Sequence, residues 1–267
     1  DEEIVLEQNE NYWDNVNTKI KKITLKLVEN EILAYHLFDL EQVDFFGLPF
    51  YEIPYERRLD SSKKPELLNF NTNIFEFLKL NTDNKFLKNQ TLRKNLNELI
   101  DSKFLAEFIL YNSSTPFIKK EELNSEKISK LTNEVEEIIK KSNLENEVLT
   151  LSNNGTKLSE RIIASLSKEW IDKYKIKVSI KNEGESEIIH STFNMGTTDD
   201  LDIKYYINHF LQNDDFSKIY TSIDDISRDN LIFPLYKRSF SILVHQNVQG
   251  VHVSPNGLLL IKNIIKK

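Results

Sequence analysis

The sequence predicts an α/β fold with a mixed sheet and flanking helices, and three observations predict it. Residues 149–180 read strand, turn, helix, strand. LTLS comes first, then NNGT, then Leu158, Ile162, Leu166 and Trp170 at four-residue spacing, then Ile176-Lys177-Val178-Ser179-Ile180. That order implies a right-handed crossover joining two parallel strands. Upstream, LLNFNTN (residues 67–73) alternates apolar and polar as a strand does. After an irregular stretch, Leu92, Leu96, Leu99, Ile100, Phe104 and Phe108 fall on one helical face. Near the start, Ile4-Val5-Leu6 and the period-two run Ile23–Val28 read as two strands around a polar turn.

Taken in order, the turn between the first two strands holds Tyr12 and Trp13, which burial habit assigns to a packed aromatic corner. Ile32, Leu33, His36, Leu37 and Leu40 predict a short helix, followed by a strand at 43–46. Phe45, Phe46, Phe50, Tyr51 and Tyr55 cluster around Gly47, Pro49 and Pro54, either as packing or as the wall of a cleft. Asn89 suits the N-cap of the helix that follows, since its side chain can accept from the free amides of the first turn. Residues 111–129 form a polar connector. Residues 126–141 form an amphipathic helix with Leu131, Val135, Ile138 and Ile139 on one side and a solvated charged face. A strand at 193–195 and a helix at 203–211 follow.

Composition narrows the function classes. The chain has 267 residues, enough for a sizeable core and one or two domains. Its formal charge is −7, the wrong sign for a nucleic-acid binder. No apolar run approaches the roughly 20 residues of a membrane helix. Cys is absent, which removes disulfides and thiolate metal sites. The five His residues, at 36, 190, 209, 245 and 252, show no helix-face metal spacing. There is no G-x-S-x-G, P-loop or G-x-G-x-x-G, so nothing here marks an enzyme, a catalytic residue, a metal or a cofactor.

Five ordered segments carry a resemblance. Val5-Leu6-Glu7 with Asn9, Asn11, Tyr12, Trp13 and Asp14 opens the chain. Asn69-Phe70-Asn71-Thr72 with Leu92-Arg93 and Leu99-Ile100-Asp101 follows, matching an "NFNT…VRxAxxxAID" signature. The unit at 149–180 is next, with Lys175 where a Gly is usual. Phe193 to Leu211 is the fourth. The last is Pro234-Leu235-Tyr236, Asn247-Val248-Gln249-Gly250, Pro255-Asn256-Gly257 and Ile261-Lys262-Asn263-Ile264. Together these resemble the extracellular solute-binding proteins of family 5, the oligopeptide- and dipeptide-binding components of ABC importers.

The resemblance implies a periplasmic-binding-protein-like (type II) fold. Residues 1–27 are then a remnant of lobe I and the crossover, 28–231 are lobe II, and 232–267 return to lobe I. It implies the C-terminal part of such a protein, with a natural single-lobe protein as the alternative. It further implies an extracytoplasmic location, a permease partner, a lipid anchor and most of lobe I outside this chain, and weak peptide binding by this part alone.

In the family an acid takes the ligand's amino group, and it aligns with Asp200, or with its neighbour Asp199. The same acids also suit a helix N-cap. Backbone groups of Gly196, Thr197 and Thr198 would pair with an extended ligand. Asn153, Asn154 and Tyr236 match cleft-facing positions, and equally suit turn formation and packing. The family's Trp and Pro are missing from the 193–211 segment. The rival readings are a non-peptide ligand (a nickel complex, a sugar or an opine) and a surface interaction or adhesion protein.

Overall fold

The computed structural model describes residues 2–110, 114–116, 123–182, 186–195, 207–208 and 223–267. It divides into two units, Asp1–Ile74 with Arg238–Lys267, and Phe75–Lys237.

In the first unit β1 (Glu2–Glu7) and β2 (Lys22–Leu27) pair antiparallel, Glu2 opposite Leu27 and Glu7 opposite Lys22. The expected aromatic corner between them is not packed: Trp13 is 84% exposed. Its ring meets the Tyr12 ring at 5.6 Å and the Lys262 ammonium at 5.5 Å. Lys262 also pairs with Asp14, and Lys266 reaches Asp44 at 2.8 Å, so the last residues lie against the early segments.

Helix α1 (Glu31–Asp39) starts where Asn30 accepts from the Ile32 and Leu33 amides. It buries Ala34, Tyr35 and Phe38, while Ile32, Leu33 and Leu40 are exposed. The helix is therefore where the sequence puts it, turned by part of a revolution. Apolar residues lie all round it, and the aromatic rings find the core. Tyr35 packs edge-on to Phe46 at 5.6 Å, and Phe46 stacks on Tyr51 at 6.0 Å. The aromatic cluster is thus chiefly packing, with Phe50 exposed.

β3 (Phe45–Gly47) pairs antiparallel with β9 (Ile232–Val244), Phe45 opposite Val244. A short α2 (Arg58–Ser61) precedes β4 (Leu67–Leu80). In this unit β9 lies between β3 and β4. Asn69 meets Ser241 and Asn71 meets Ser239 through side chains, so β4 and β9 run in opposite senses. The tail pairs β10 (Val248–Gln249) with β11 (Ile265–Lys266). Its Pro255-Asn256-Gly257 turn needs glycine. Gly257 has φ +80°, and a Cβ there would stand 2.9 Å from both Ile74 and Phe240.

The second unit takes the later half of β4 and the earlier part of β9. Its strand order is β9–β4–β8–β6–β7, with β5 (Ser114–Pro116) also on β9. β6 (Leu149–Ser152), α6 (Lys157–Tyr174) and β7 (Val178–Lys181) form the predicted crossover. β6 and β7 are parallel with Leu149 opposite Val178. β8 (Ile188–Asn194) is parallel to β6 on its other side, Leu151 opposite Ile188. The stripe Leu158, Ile162, Leu166 and Trp170 is buried in a core shared with Leu78, Leu149, Leu151 and Ile188. α5 (Ser125–Lys141) adds Val135 and Ile139 to the same core. Lys175 caps α6 in the left-handed conformation, φ +58°, which is the backbone reason a Gly is usual at this position.

α3 (Gln90–Glu98) has the predicted Asn89 cap, accepting from Leu92 N at 3.0 Å, and buries Leu92 and Leu96. It stops short of the predicted length. Asp101 caps a new turn, α4 (Ser102–Phe104), and a π-helical turn (Leu105–Ile109) follows. That break takes Phe104 and Phe108 off the buried face. Both are exposed and stacked on each other at 5.2 Å. α7 (Ile223–Arg228) leads into β9. The expected strand at 193–195 is the end of a longer β8. Of the expected helix at 203–211, residues 207–208 are described and helical.

Candidate functional site

β6 and β8 are parallel neighbours in the second unit, so their carboxyl ends lie on the same edge of the sheet. In open α/β sheets, ligands bind outside the carboxyl ends of such strands. The Asn153–Asn154 turn follows β6 directly, and residues 196–200 follow β8 in the chain.

The turn after β6 is built by side chains. Asn153 is buried, and its Oδ1 accepts from Gly155 N at 2.8 Å, an Asx turn. Asn154 is exposed. Its Oδ1 accepts from Thr156 Oγ1 at 2.8 Å and from Thr156 N at 3.3 Å. Thr156 caps α6 by accepting from Ser159 N at 3.2 Å. Asn154 N donates to Ser159 Oγ at 2.9 Å, and Asn154 Nδ2 lies 3.5 Å from Thr192 Oγ1 on β8.

Behind this turn lies a buried polar group that the sequence reading missed. Ile188, His190 and Thr192 alternate onto one face of β8, and Glu76 faces them from β4. Glu76 and Ser159 are 0% exposed and His190 is 2% exposed. Ser159 Oγ lies 2.5 Å from His190 Nδ1. His190 Nε2 sits 3.3 Å from Glu76 Oε2, without the alignment of a full hydrogen bond. Thr192 Oγ1 donates to that same carboxylate oxygen at 2.9 Å. A signal was present: an acid in the apolar run Ile74-Phe75-Glu76-Phe77-Leu78 and an imidazole in Ile188-Ile189-His190, each at a strand position facing inward.

The other sequence candidates fall elsewhere. Tyr236 is 1% exposed and belongs to the large core of the second unit. Asp199, Asp200, Gly196, Thr197 and Thr198 lie outside the described residues. Among the described residues no group of three His, Asp or Glu could hold a metal ion, and no helix is long and apolar enough to cross a membrane. An open pocket of about 280 Å3 between α5 and the end of α6 takes in Tyr174 and none of the candidates. Burial there raises the Tyr174 hydroxyl well above the ordinary tyrosine range.

The oligopeptide-binding protein OppA of Bacillus subtilis is 29% identical over 115 residues, 42% of this chain and 21% of that protein. The oligopeptide-binding protein OppAIV of Borrelia burgdorferi superposes with a TM-score of 0.72 at 20% identity, over 100% of this chain and 62% of its own. Haemophilus influenzae OppA in complex with RPPGFSPFR gives 0.72 at 16% identity over 99% of this chain, and Listeria monocytogenes OppA bound to peptide gives 0.72 at 16% over 100%. Both are likewise covered to 62% of their length, so this chain spans less than two thirds of these relatives. These structures establish the fold, a periplasmic-binding-protein-like α/β arrangement. The model of the bacterial extracellular solute-binding proteins, family 5 Middle, matches residues 1–224, and the chain belongs to that family.

Proposed function

We propose that this chain is part of the peptide-binding component of an ABC importer and performs no chemistry itself. The family match over residues 1–224 carries the reading. It is supported by the two candidate ligand segments, which follow the carboxyl ends of the adjacent parallel strands β6 and β8. The Asp200 carboxylate, with Asp199 beside it, takes the ligand's amino group. Backbone groups of Gly196, Thr197 and Thr198 pair with the extended ligand, and Asn154 meets it from the neighbouring turn. Asn153 and Tyr236 act behind the contact surface, in keeping with their burial. The protein works outside the cytoplasm, anchored by lipid and docking on a permease. A second lobe closes over the peptide. Binding by this chain alone is therefore weak.

Trialanine and N-acetyl-trialanine titrated into the 15N-labelled chain test this. Free trialanine at millimolar concentration should shift amides at 153–156 and 196–200. Acetylation, or Asp200→Asn, should weaken the response about tenfold or more, the worth of one charge-assisted hydrogen bond. An equal response to both peptides overturns the assignment of Asp200. No response at any residue overturns peptide binding, and submicromolar affinity overturns the need for a second lobe.

A further inference from the structure

The exposed turn after β6 is tied to the sheet at two points, and both ties run to the buried Glu76 side chain. From Asn154 N the path goes to Ser159 Oγ (2.9 Å), to His190 Nδ1 (2.5 Å), and from Nε2 to Glu76 Oε2 (3.3 Å). From Glu76 Oε2 it returns by Thr192 Oγ1 (2.9 Å) to Asn154 Nδ2 (3.5 Å). The path closes on the residue where it began, once through the backbone and once through the side chain.

The tautomer with the imidazole proton on Nε2 lets Ser159 donate to Nδ1 while accepting from Asn154 N–H. Nε2 then faces the Glu76 carboxyl at 3.3 Å, a close polar contact short of a full hydrogen bond, and that carboxyl accepts from Thr192, which accepts from Asn154 Nδ2. The order Ser, His, carboxylate is also that of a hydrolytic nucleophile. Here the serine is 0% exposed in the first turn of α6 and its oxygen is engaged on both sides, so no substrate reaches it.

A buried carboxylate and imidazole cost more to fold than apolar residues of the same size. What they supply here is direction: they fix the rotamer and backbone of one exposed amide side chain. We propose that Glu76, His190, Ser159 and Thr192 are positioning residues that hold Asn154 ready to meet the bound peptide, so that ordering the turn is not left to the binding step. This rests on the peptide-binding reading above.

The test uses the two isosteres of histidine. His190→Asn places an amide oxygen near Nδ1 and keeps the Ser159 link. His190→Gln places an amide near Nε2 and keeps only the Glu76 link. Ser159→Ala removes the first link with little change in packing, and serves if a His190 variant fails to fold. Amide exchange at Asn154 should stay within threefold of wild type in His190→Asn, and speed up at least tenfold in His190→Gln and Ser159→Ala. Ring 15N resonances should show the Nε2–H tautomer. Equal exchange in His190→Asn and His190→Gln, exchange at Asn154 unaltered by Ser159→Ala, or the Nδ1–H tautomer, overturns the network. Trialanine-induced shifts at Asn154 should survive in His190→Asn and fade in His190→Gln. Shifts at 196–200 with none at Asn154 overturn the positioning role and leave peptide binding standing. Shifts nowhere overturn both, even with the exchange pattern intact.

Discussion

Arg93 is the basic residue of the "NFNT…VRxAxxxAID" segment, and the structure gives it an architectural job that can be measured. It leaves α3 only 7% exposed. Its Nε donates to Asn230 O at 2.8 Å and its Nη1 to Leu87 O at 2.6 Å. Longer contacts run to Lys88 O at 3.3 Å and Asp229 O at 3.4 Å. One planar group thus joins the loop before α3 to the turn before β9. Arg93→Met keeps the stem and removes the donors. Hydrogen bonds from a charged group are worth about 1.5–3 kcal/mol each. Counting only the two short ones gives roughly 3–6 kcal/mol, reduced where water reaches the freed carbonyls, so about 3 kcal/mol is expected. With a urea dependence of about 3 kcal/mol per M for a chain of this size, the midpoint falls by roughly 1 M. Arg93→Lys should recover less than half, because one ammonium cannot point at Leu87 and Asn230 along the fork that a guanidinium spans. Urea melts followed by circular dichroism decide it. A Met variant within 0.5 kcal/mol of wild type, or a Lys variant equal to it, refutes the argument.

Two further expectations rest on single residues. Lys175 holds a left-handed cap at a strain of about 1–2 kcal/mol for a side chain. Lys175→Gly relieves it, set against about 0.4–1 kcal/mol of extra unfolded-chain entropy and a bond from its Nζ to Asp172 O. A gain of about 0.5 kcal/mol, or 1–2 °C in Tm, is expected for a domain of this size, while Lys175→Ala should gain nothing. A lower Tm for the Gly variant than for the Ala variant sinks the strain account. The other expectation concerns pH. Hydrogen bonds from Lys262, then Asn17, hold the Asp14 carboxyl below its ordinary value of 3.8. Its folded pKa is depressed, so its contribution is complete above that value and is lost as pH falls through the folded pKa. Trp13 fluorescence should therefore hold steady down to about pH 4 and change below it. In Lys262→Met the change should begin at higher pH. An unmoved transition in the variant contradicts the pairing.

How legible the fold was depended on whether a segment's pattern had one solution. In α6 the stripe Leu158, Ile162, Leu166 and Trp170 stands opposite the charged residues Glu160, Arg161, Lys168 and Asp172, and all four stripe residues are buried as read. In α1 the apolar residues surround the helix, so period alone could not choose between Ile32 with Leu33 and Tyr35 with Phe38. The neighbouring Phe46 and Ile53 decided it. The α3 stripe runs on past the end of the helix because Asp101, which the motif also contains, is a competent N-cap and starts a new turn there. Trp13 shows the weakness of burial habit: an average over many proteins says little about one residue beside a lysine. Of the candidate site, the Asn153–Asn154 turn has local chemistry that sequence displays. For the Glu76, His190 and Ser159 contact the sequence shows only single polar residues in apolar strand runs and not their meeting, because Ser159 and His190 are 31 residues apart and Glu76 stands on a third element.

The composition of the two candidate ligand segments bears on what they can select. The segment after β8 lacks the Trp and Pro of its relatives' pattern, and it offers Gly196, Thr197, Thr198, Asp199 and Asp200. The turn after β6 offers Asn154, Gly155 and Thr156, all exposed. Neither segment supplies an aromatic plate or an apolar pocket for a ligand side chain. A peptide held by such groups is held through its backbone and its terminal charge, which every peptide shares. Affinity then rests on how well the polar groups are aimed beforehand, since no apolar burial offsets a poorly directed bond. A closed path of polar contacts around a buried carboxyl group, cost included, makes physical sense under that demand. It would be an extravagance beneath a pocket that gripped side chains.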